Sequence, residues 1–101
     1  MIHVIATIRL QPGSLSRFLE IFKGNVPAVR AESGCIEYGG TVDVDAGLAA
    51  QRLEPDTVVV IEKWASLDAL RSHLTSPHML AYREKVKDLV SNLTIKVLQE
   101  A

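Results

Sequence analysis

Hydrophobic residues in this chain follow two different periods, and the period changes several times along the sequence. Alternating apolar and polar positions, with many β-branched residues, predict four strands at residues 3–10, 35–44, 57–64 and 93–99. Apolar residues spaced three and four apart predict helices at residues 14–32, from residue 66 onwards, and at 77–91. The Ser76-Pro77 pair breaks the second helical unit in two, because a residue before proline avoids helical geometry.

The predicted order β-α-β-β-α-β is that of the ferredoxin-like split βαβ fold, an α+β architecture with an antiparallel sheet. Its helices cover one face of the sheet only. The other face would carry Ile5, Val59, Ile61 and Leu98, which is too apolar a surface for free exposure. We therefore expect an obligate homodimer with two-fold symmetry, in which the two sheets face each other. A length of 101 residues predicts a single domain over 1–101.

Composition and charge exclude several classes of partner. Eleven Lys and Arg residues against twelve Asp and Glu residues give a net charge of −1, so we expect neither nucleic acid nor a membrane surface as a partner. The apolar opening at 2–8 is too short to span a bilayer and does not resemble a signal peptide, which predicts a cytoplasmic protein. The lone Cys35 gives no internal disulfide and no zinc-type cysteine cluster.

Most of the unusual chemistry lies in the stretch from Val58 to Met79. Glu62 and Trp64 share one face of the predicted strand, His73 comes late in the next helix, and His78 lies in the first turn of the helix after that. A carboxylate on the face that the helices cover is costly without a partner. We therefore expect Glu62 to pair with a histidine, which it would orient, or with Arg83.

Three groups of residues in this chain resemble a known family. They are Gly34-Cys35-x-x-Tyr38, Val60-Ile61-Glu62-x-Trp64-x-Ser66, and His73-x-x-x-Pro77-His78-Met79. Together they resemble the antibiotic biosynthesis monooxygenase family, and most closely its bacterial quinol monooxygenase members, over essentially the whole chain. The resemblance implies a dimeric α/β barrel with a pocket in each subunit between sheet and helices. It also implies oxidation of a quinol or a related polycyclic aromatic by molecular oxygen, with no bound flavin or metal.

This chemistry needs a base, because an unperturbed phenol titrates near 10 and reacts with oxygen as its anion. His78 is one candidate, since the dipole at a helix N-terminus disfavours the imidazolium form. His73 is the other candidate, unless it anchors the helix break by bonding a carbonyl. Trp64 would form a flat wall for an aromatic substrate, and the Tyr38 and Tyr82 hydroxyls would contact substrate oxygens.

Other functions stay open at this point. An isomerase acting on a small oxygenated metabolite would use the same acid and base groups without oxygen. A non-catalytic small-molecule or stress-response binding protein would need no acid or base group and no oxygen. Haem-degrading relatives use an asparagine and a histidine where this chain has Thr7 or Ile8 and Tyr82 or Arg83, which disfavours haem chemistry although Trp64 matches. A metal triad of His73, His78 and Glu62 is also disfavoured, because the helix break keeps the two histidines from lying on the same face of one helix.

Overall fold

The computed structural model describes all residues, 1–101, and contains four strands and three helices. In chain order the elements are β1 (Ile2–Leu10), α1 (Leu15–Arg30), β2 (Cys35–Thr41), β3 (Thr57–Trp64), α2 (Leu67–Leu74), α3 (Pro77–Val86) and β4 (Val90–Leu98). The strands form one sheet in the order β2-β3-β1-β4, and every neighbouring pair is antiparallel. The α+β fold and the β-α-β-β-α-β order are therefore confirmed. No helix is both long and apolar enough to cross a membrane.

The core lies between the sheet and the three helices. Every second residue of β1, from Ile2 to Leu10, is buried, because alternate side chains of a strand point to opposite faces. The same face of β3 contributes Val58, Val60, Glu62 and Trp64 to the interior. The helices cover this face with Phe18, Phe22, Val29, Leu70, Met79, Tyr82 and Val86.

Three predicted boundaries differ from the structure by three residues or more. Strand β2 ends at Thr41, and residues 42–48 that follow it are neither strand nor helix. Helix α3 ends at Val86 rather than near Ser91, and β4 begins at Val90 rather than Leu93. The physical reason is that Val90 pairs with Leu10 at an irregularity in the β1–β4 register, which draws the chain into the sheet earlier.

The last strand is mostly exposed in the single chain. Strand β4 is at the edge of the sheet, and Leu93, Ile95 and Val97 are about half exposed. These three side chains lie on the helix-covered side of the sheet, because they pair with Ile8, Ala6 and Val4 of β1. The outer face carries Ile61, which is 38% exposed and pairs across the sheet with Ile5, and Leu98, which is 43% exposed. The surface that the sequence predicts to be apolar therefore exists on the molecule.

Two glycines allow close contacts between a strand or turn and a helix. A Cβ atom at Gly40 would lie 2.8 Å from Cε1 of Phe22, so the absence of a side chain lets the Phe22 ring lie against β2. Gly34 has a positive φ of 84°, and a Cβ there would lie 2.6 Å from the Cβ of Ala69 on α2. The turn after α1 is thus held directly against α2.

Candidate active site

A cavity of about 200 Å³ lies between the sheet, α2 and α3. Most of the residues that line it are apolar, and they come from all four strands and from both helices. The polar side chains that border it are Tyr38, Glu62, His73, Tyr82, Arg83 and Lys87. A largely apolar cavity with a few convergent polar groups is the usual form of a small-molecule site.

Glu62 and His73 form the buried polar part of this cavity. Glu62 is 6% exposed, and its Oε1 accepts a hydrogen bond of 2.9 Å from the indole nitrogen of Trp64. The same oxygen lies 3.9 Å from Nε2 of His73, too far for a direct hydrogen bond. The Trp64 ring packs on the His73 ring with centroids 4.6 Å apart. Trp64 thus supports both residues, and it does not line the cavity itself.

Glu62 was predicted to pair with a histidine and orient it. The carboxylate at hydrogen-bond distance from His73 belongs to Glu32 instead. Nδ1 of His73 lies 2.8 Å from Oε2 of Glu32, a residue in the turn after α1. The same Glu32 oxygen lies 2.8 Å from Nε2 of His78. One carboxylate oxygen therefore joins the two histidines across the break between α2 and α3. The three ligand-type atoms lie within 4.8 Å of one another.

The helix break itself forms as predicted, with Ser76 as the N-cap and Pro77 in the first turn of α3. The Ser76 hydroxyl donates a 2.8 Å hydrogen bond back to the carbonyl oxygen of His73. Its oxygen also lies 3.2 Å from Nε2 of His78. The break therefore places His78 beside Glu32 and away from the cavity, which His78 does not line. Ser66 caps α2, accepting a hydrogen bond from the backbone N–H of Ala69.

Burial determines the protonation state of several groups at the site. It raises the pKa of Glu62, and the hydrogen bond from Trp64 and the nearby His73 lower that pKa only in part. Burial also raises the pKa of the Tyr38 and Tyr82 hydroxyls above the usual value near 10, with the Glu62 charge acting in the same direction. Both tyrosines are therefore neutral hydrogen-bond donors at pH 7. Burial and the charges of Glu32 and Glu62 likewise raise the pKa of the Cys35 thiol, which disfavours the reactive thiolate.

Several polar atoms in the cavity have no partner within the chain. The hydroxyls of Tyr38 and Tyr82 and the Nε2 atom of His73 make no hydrogen bond to protein. No fully enclosed side-chain nitrogen or oxygen lacks a hydrogen-bond partner, so these atoms border open space. The cavity can therefore offer two donors and one ring nitrogen to a bound molecule.

Glu32 is the site residue that the sequence analysis missed. Its partners His73 and His78 are 41 and 46 residues away, so no local spacing connects them. One weak signal was available, since a carboxylate just after a helix C-terminus is disfavoured by the helix dipole. An acidic residue in that position indicates a separate role.

Comparisons with known proteins agree with this architecture. A family model described as "Antibiotic biosynthesis monooxygenase" matches residues 1–85. "Probable quinol monooxygenase YgiN" of Escherichia coli strain K12 is 45% identical over 101 residues, which span 98% of this chain and 97% of that protein.

Solved structures show the same fold. PA3566 from Pseudomonas aeruginosa has a TM-score of 0.82 at 27% identity, covering 99% of this chain and 93% of that one. Rv0793 from Mycobacterium tuberculosis has a TM-score of 0.81 at 28% identity, covering 99% and 94%. On the family match and the identity along nearly its whole length, the chain belongs to the antibiotic biosynthesis monooxygenase family.

Proposed function

We propose that this protein is a monooxygenase that oxidises a quinol or a related aromatic phenol with O₂, without a bound flavin or metal, and that His73 is its base. The observation that carries the proposal is the unpaired Nε2 atom of His73 in an apolar cavity beside two protonated tyrosines. The similarity to the Escherichia coli protein named probable quinol monooxygenase YgiN supports the quinol class. The proposal includes a cytoplasmic location.

The chemistry needs few groups from the protein. Dioxygen is a triplet and reacts slowly with a neutral quinol, whereas the quinol anion can donate one electron and then combine with the resulting superoxide. His73 would take the hydroxyl proton and later return it to the peroxide that forms on the substrate ring. In the overall reaction one oxygen atom enters the product, and the other leaves as water with two hydrogen atoms from the substrate.

His73 suits the role of base better than His78 because of where each ring lies. His73 is 1% exposed and lines the cavity, whereas the side chain of His78 is 28% exposed and lies outside it. A base must be within hydrogen-bond reach of the proton that it removes. The wall role predicted for Trp64 changes accordingly, because its buried ring supports His73 and Glu62 rather than facing the substrate.

The remaining polar residues suit an oxygenated aromatic ligand. The Tyr38 and Tyr82 hydroxyls can donate to substrate oxygens, because their raised pKa keeps them protonated. Arg83 borders the cavity and makes no ion pair within the chain, so its charge is available to a substrate anion. A volume of about 200 Å³ is below the range of roughly 300–1,000 Å³ for sites of drug-sized ligands, which favours a compact substrate.

The proposal includes a homodimer formed through the outer faces of the two sheets. Ile61 and Leu98 on this face are 38% and 43% exposed in the single chain. Burying such residues against a second copy removes apolar area from water, at roughly 25 cal/mol per Å². In a two-fold symmetric dimer, both subunits would contribute the same surface to the interface.

Oxygen uptake with a reduced naphthoquinol tests this function. The metal-stripped wild-type protein should consume oxygen faster than autoxidation alone, and His73→Ala should lower the rate by about 10²-fold or more, as expected for a lost general base. Arg71→Ala is the control, because the exposed Arg71 side chain lies on α2 outside the cavity and outside the outer sheet face and should leave the rate unchanged. Wild-type uptake no faster than autoxidation across several quinols would contradict the proposal and favour the isomerase or binding alternatives.

A further inference from the structure

We propose that Glu32 is the positioning residue of the site: it fixes the tautomer of His73, and His78 holds Glu32 in place. The inference rests on the proposed function in that it takes His73 as the base. Oε2 of Glu32 lies 2.8 Å from Nδ1 of His73 and 2.8 Å from Nε2 of His78. An ionised carboxylate only accepts hydrogen bonds, so both of these ring nitrogens carry protons.

This hydrogen bond determines which nitrogen of His73 can act as a base. A neutral imidazole has one N–H and one lone pair, so a proton on Nδ1 leaves the lone pair on Nε2. Nε2 borders the cavity, makes no hydrogen bond within the chain and lies 3.9 Å from Oε1 of Glu62. Glu32 therefore directs the basic nitrogen towards the position of the substrate. It would also stabilise the imidazolium that forms when His73 takes a proton, since an opposite charge lies at hydrogen-bond distance.

Contacts around His78 indicate that this residue supports Glu32. The Ser76 hydroxyl uses its single hydrogen on the carbonyl oxygen of His73, so its oxygen faces Nε2 of His78 as an acceptor. Both neighbours of His78 Nε2 are then acceptors, which agrees with a proton on that nitrogen. The Glu32 side chain is 13% exposed and receives one donor from α2 and one from α3. Two donors on different helices restrict its carboxylate to one orientation.

The same three side chains could instead bind a divalent cation, and the two arrangements require opposite protonation states. The ligand-type atoms of Glu32, His73 and His78 lie within 4.8 Å of one another. A metal ion needs an unprotonated nitrogen from each histidine. A hydrogen-bonded carboxylate needs a proton on both of these nitrogens. The 2.8 Å separations between Oε2 and the two nitrogens are hydrogen-bond lengths, and they favour the second arrangement.

Nitrogen NMR of histidine-labelled protein tests the tautomer without any assay of activity. In the wild-type protein we expect His73 with a protonated Nδ1 and an unprotonated Nε2. In Glu32→Ala no acceptor remains beside Nδ1 of His73, so the single-tautomer pattern of His73 should be lost. A wild-type His73 protonated on Nε2, identical spectra in the variant, or stoichiometric bound metal in the purified protein would overturn the inference.

Steady-state kinetics tests the consequence for the reaction. Glu32→Gln should lower kcat on the order of 10²-fold with little change in KM, because the neutral amide retains the cavity but does not stabilise the imidazolium that forms on His73. His78→Ala should lower kcat as well, and His78→Gln should restore part of it because its amide N–H can donate to Glu32. Glu20→Gln is the matched control, since Glu20 is an exposed acid on α1 paired with Arg17.

The two tests separate this inference from the proposed function. If the wild-type protein oxidises no quinol, the proposed function fails, and the NMR result alone decides whether Glu32 sets the tautomer. If the wild-type protein is active and Glu32→Gln has an unchanged kcat, Glu32 has no positioning role and the inference is wrong.

Discussion

Glu62 is a carboxylate held in the interior, between the Trp64 indole and the His73 imidazole. Burial raises the pKa of Glu62 above its ordinary value of 4.5, because removal from water disfavours the charged form. One hydrogen bond and one nearby histidine do not offset this cost fully. The protein therefore keeps at its cavity a side chain that lowers its stability when ionised, which is a common property of functional sites.

Glu62→Gln should stabilise the protein at neutral pH. The pKa of Glu62 is higher in the folded protein than in the unfolded chain. Below pH 4.5 the carboxyl group is protonated in both states, so it costs no stability. The cost grows as pH rises from 4.5 to the folded pKa and is constant above the folded pKa. The variant keeps an oxygen that can accept the Trp64 hydrogen bond. Urea denaturation at pH 7.5 should show a higher free energy of unfolding than wild type, and the gain should shrink towards zero at pH 4. A gain that is equal at both pH values would contradict this account.

For individual residues, the sequence identified which side chains belong to the site more reliably than it identified the contacts between them. Glu62, Trp64, His73 and His78 lie within one stretch and could be selected from strand and helix periods alone. Their partners could not be predicted, because Glu32 reaches the histidines only through the packing of the turn after α1 on α2. The roles of all these side chains stay predictions.

The turn that carries Glu32 is positioned by backbone contacts between elements. Gly34 ends this turn, and its carbonyl oxygen accepts a 2.8 Å hydrogen bond from the N–H of Ala65 at the end of β3. Its lack of a side chain brings the backbone against Ala69 of α2. Any shift of the turn away from α2 would therefore carry Glu32 away from His73.

Gly34→Ala should be more destabilising than Gly13→Ala, although both glycines have a positive φ, of 84° and 81°. The backbone conformation alone costs roughly 1–2 kcal/mol for alanine, and this is all that we expect at Gly13, where no atom lies within 4 Å of the added Cβ. At Gly34 the Cβ would meet Ala69 at 2.6 Å, which should add about 1–3 kcal/mol of overpacking. Equal losses in chemical denaturation would show that the turn can move away freely.

Elements with one strong pattern were predicted accurately, and mixed segments were not. Strand β3 was predicted at its observed residues because its β-branched run is bounded by Asp56 and Ala65. Residues 87–91 were placed in α3 because Leu89 and Val90 also fit a helical period. Pairing of Val90 with Leu10 on β1 decides the outcome, and that long-range contact is absent from the local pattern.

At the scale of the whole molecule, the outer face of the sheet exposes apolar side chains, among them Ile61 and Leu98. The topology and the antiparallel sheet followed from the order of elements, because few folds accommodate β-α-β-β-α-β. The apolar outer face also followed from strand alternation. Neither the topology nor the strand alternation shows which molecule covers that face, so the homodimer stays a proposal.

Ile61→Glu should convert the proposed dimer into a monomer, because it places a charge in the middle of the outer face. Leu80→Glu is the matched control, since Leu80 on α3 is 55% exposed and does not belong to that face. Sedimentation equilibrium at equal protein concentration should give a dimer for wild type and for Leu80→Glu, and a monomer for Ile61→Glu. A dimeric Ile61→Glu protein would exclude this face as the interface.

The central claim is that the cavity around His73 supports insertion of oxygen into an aromatic substrate. Mass spectrometry of the product formed under ¹⁸O₂, by metal-stripped protein with a reduced naphthoquinol, measures this directly. We predict one ¹⁸O atom in the organic product and the second in water, with product formation lost in His73→Ala. Unlabelled quinone with the ¹⁸O in hydrogen peroxide, or labelling that requires added flavin or metal, would contradict the account.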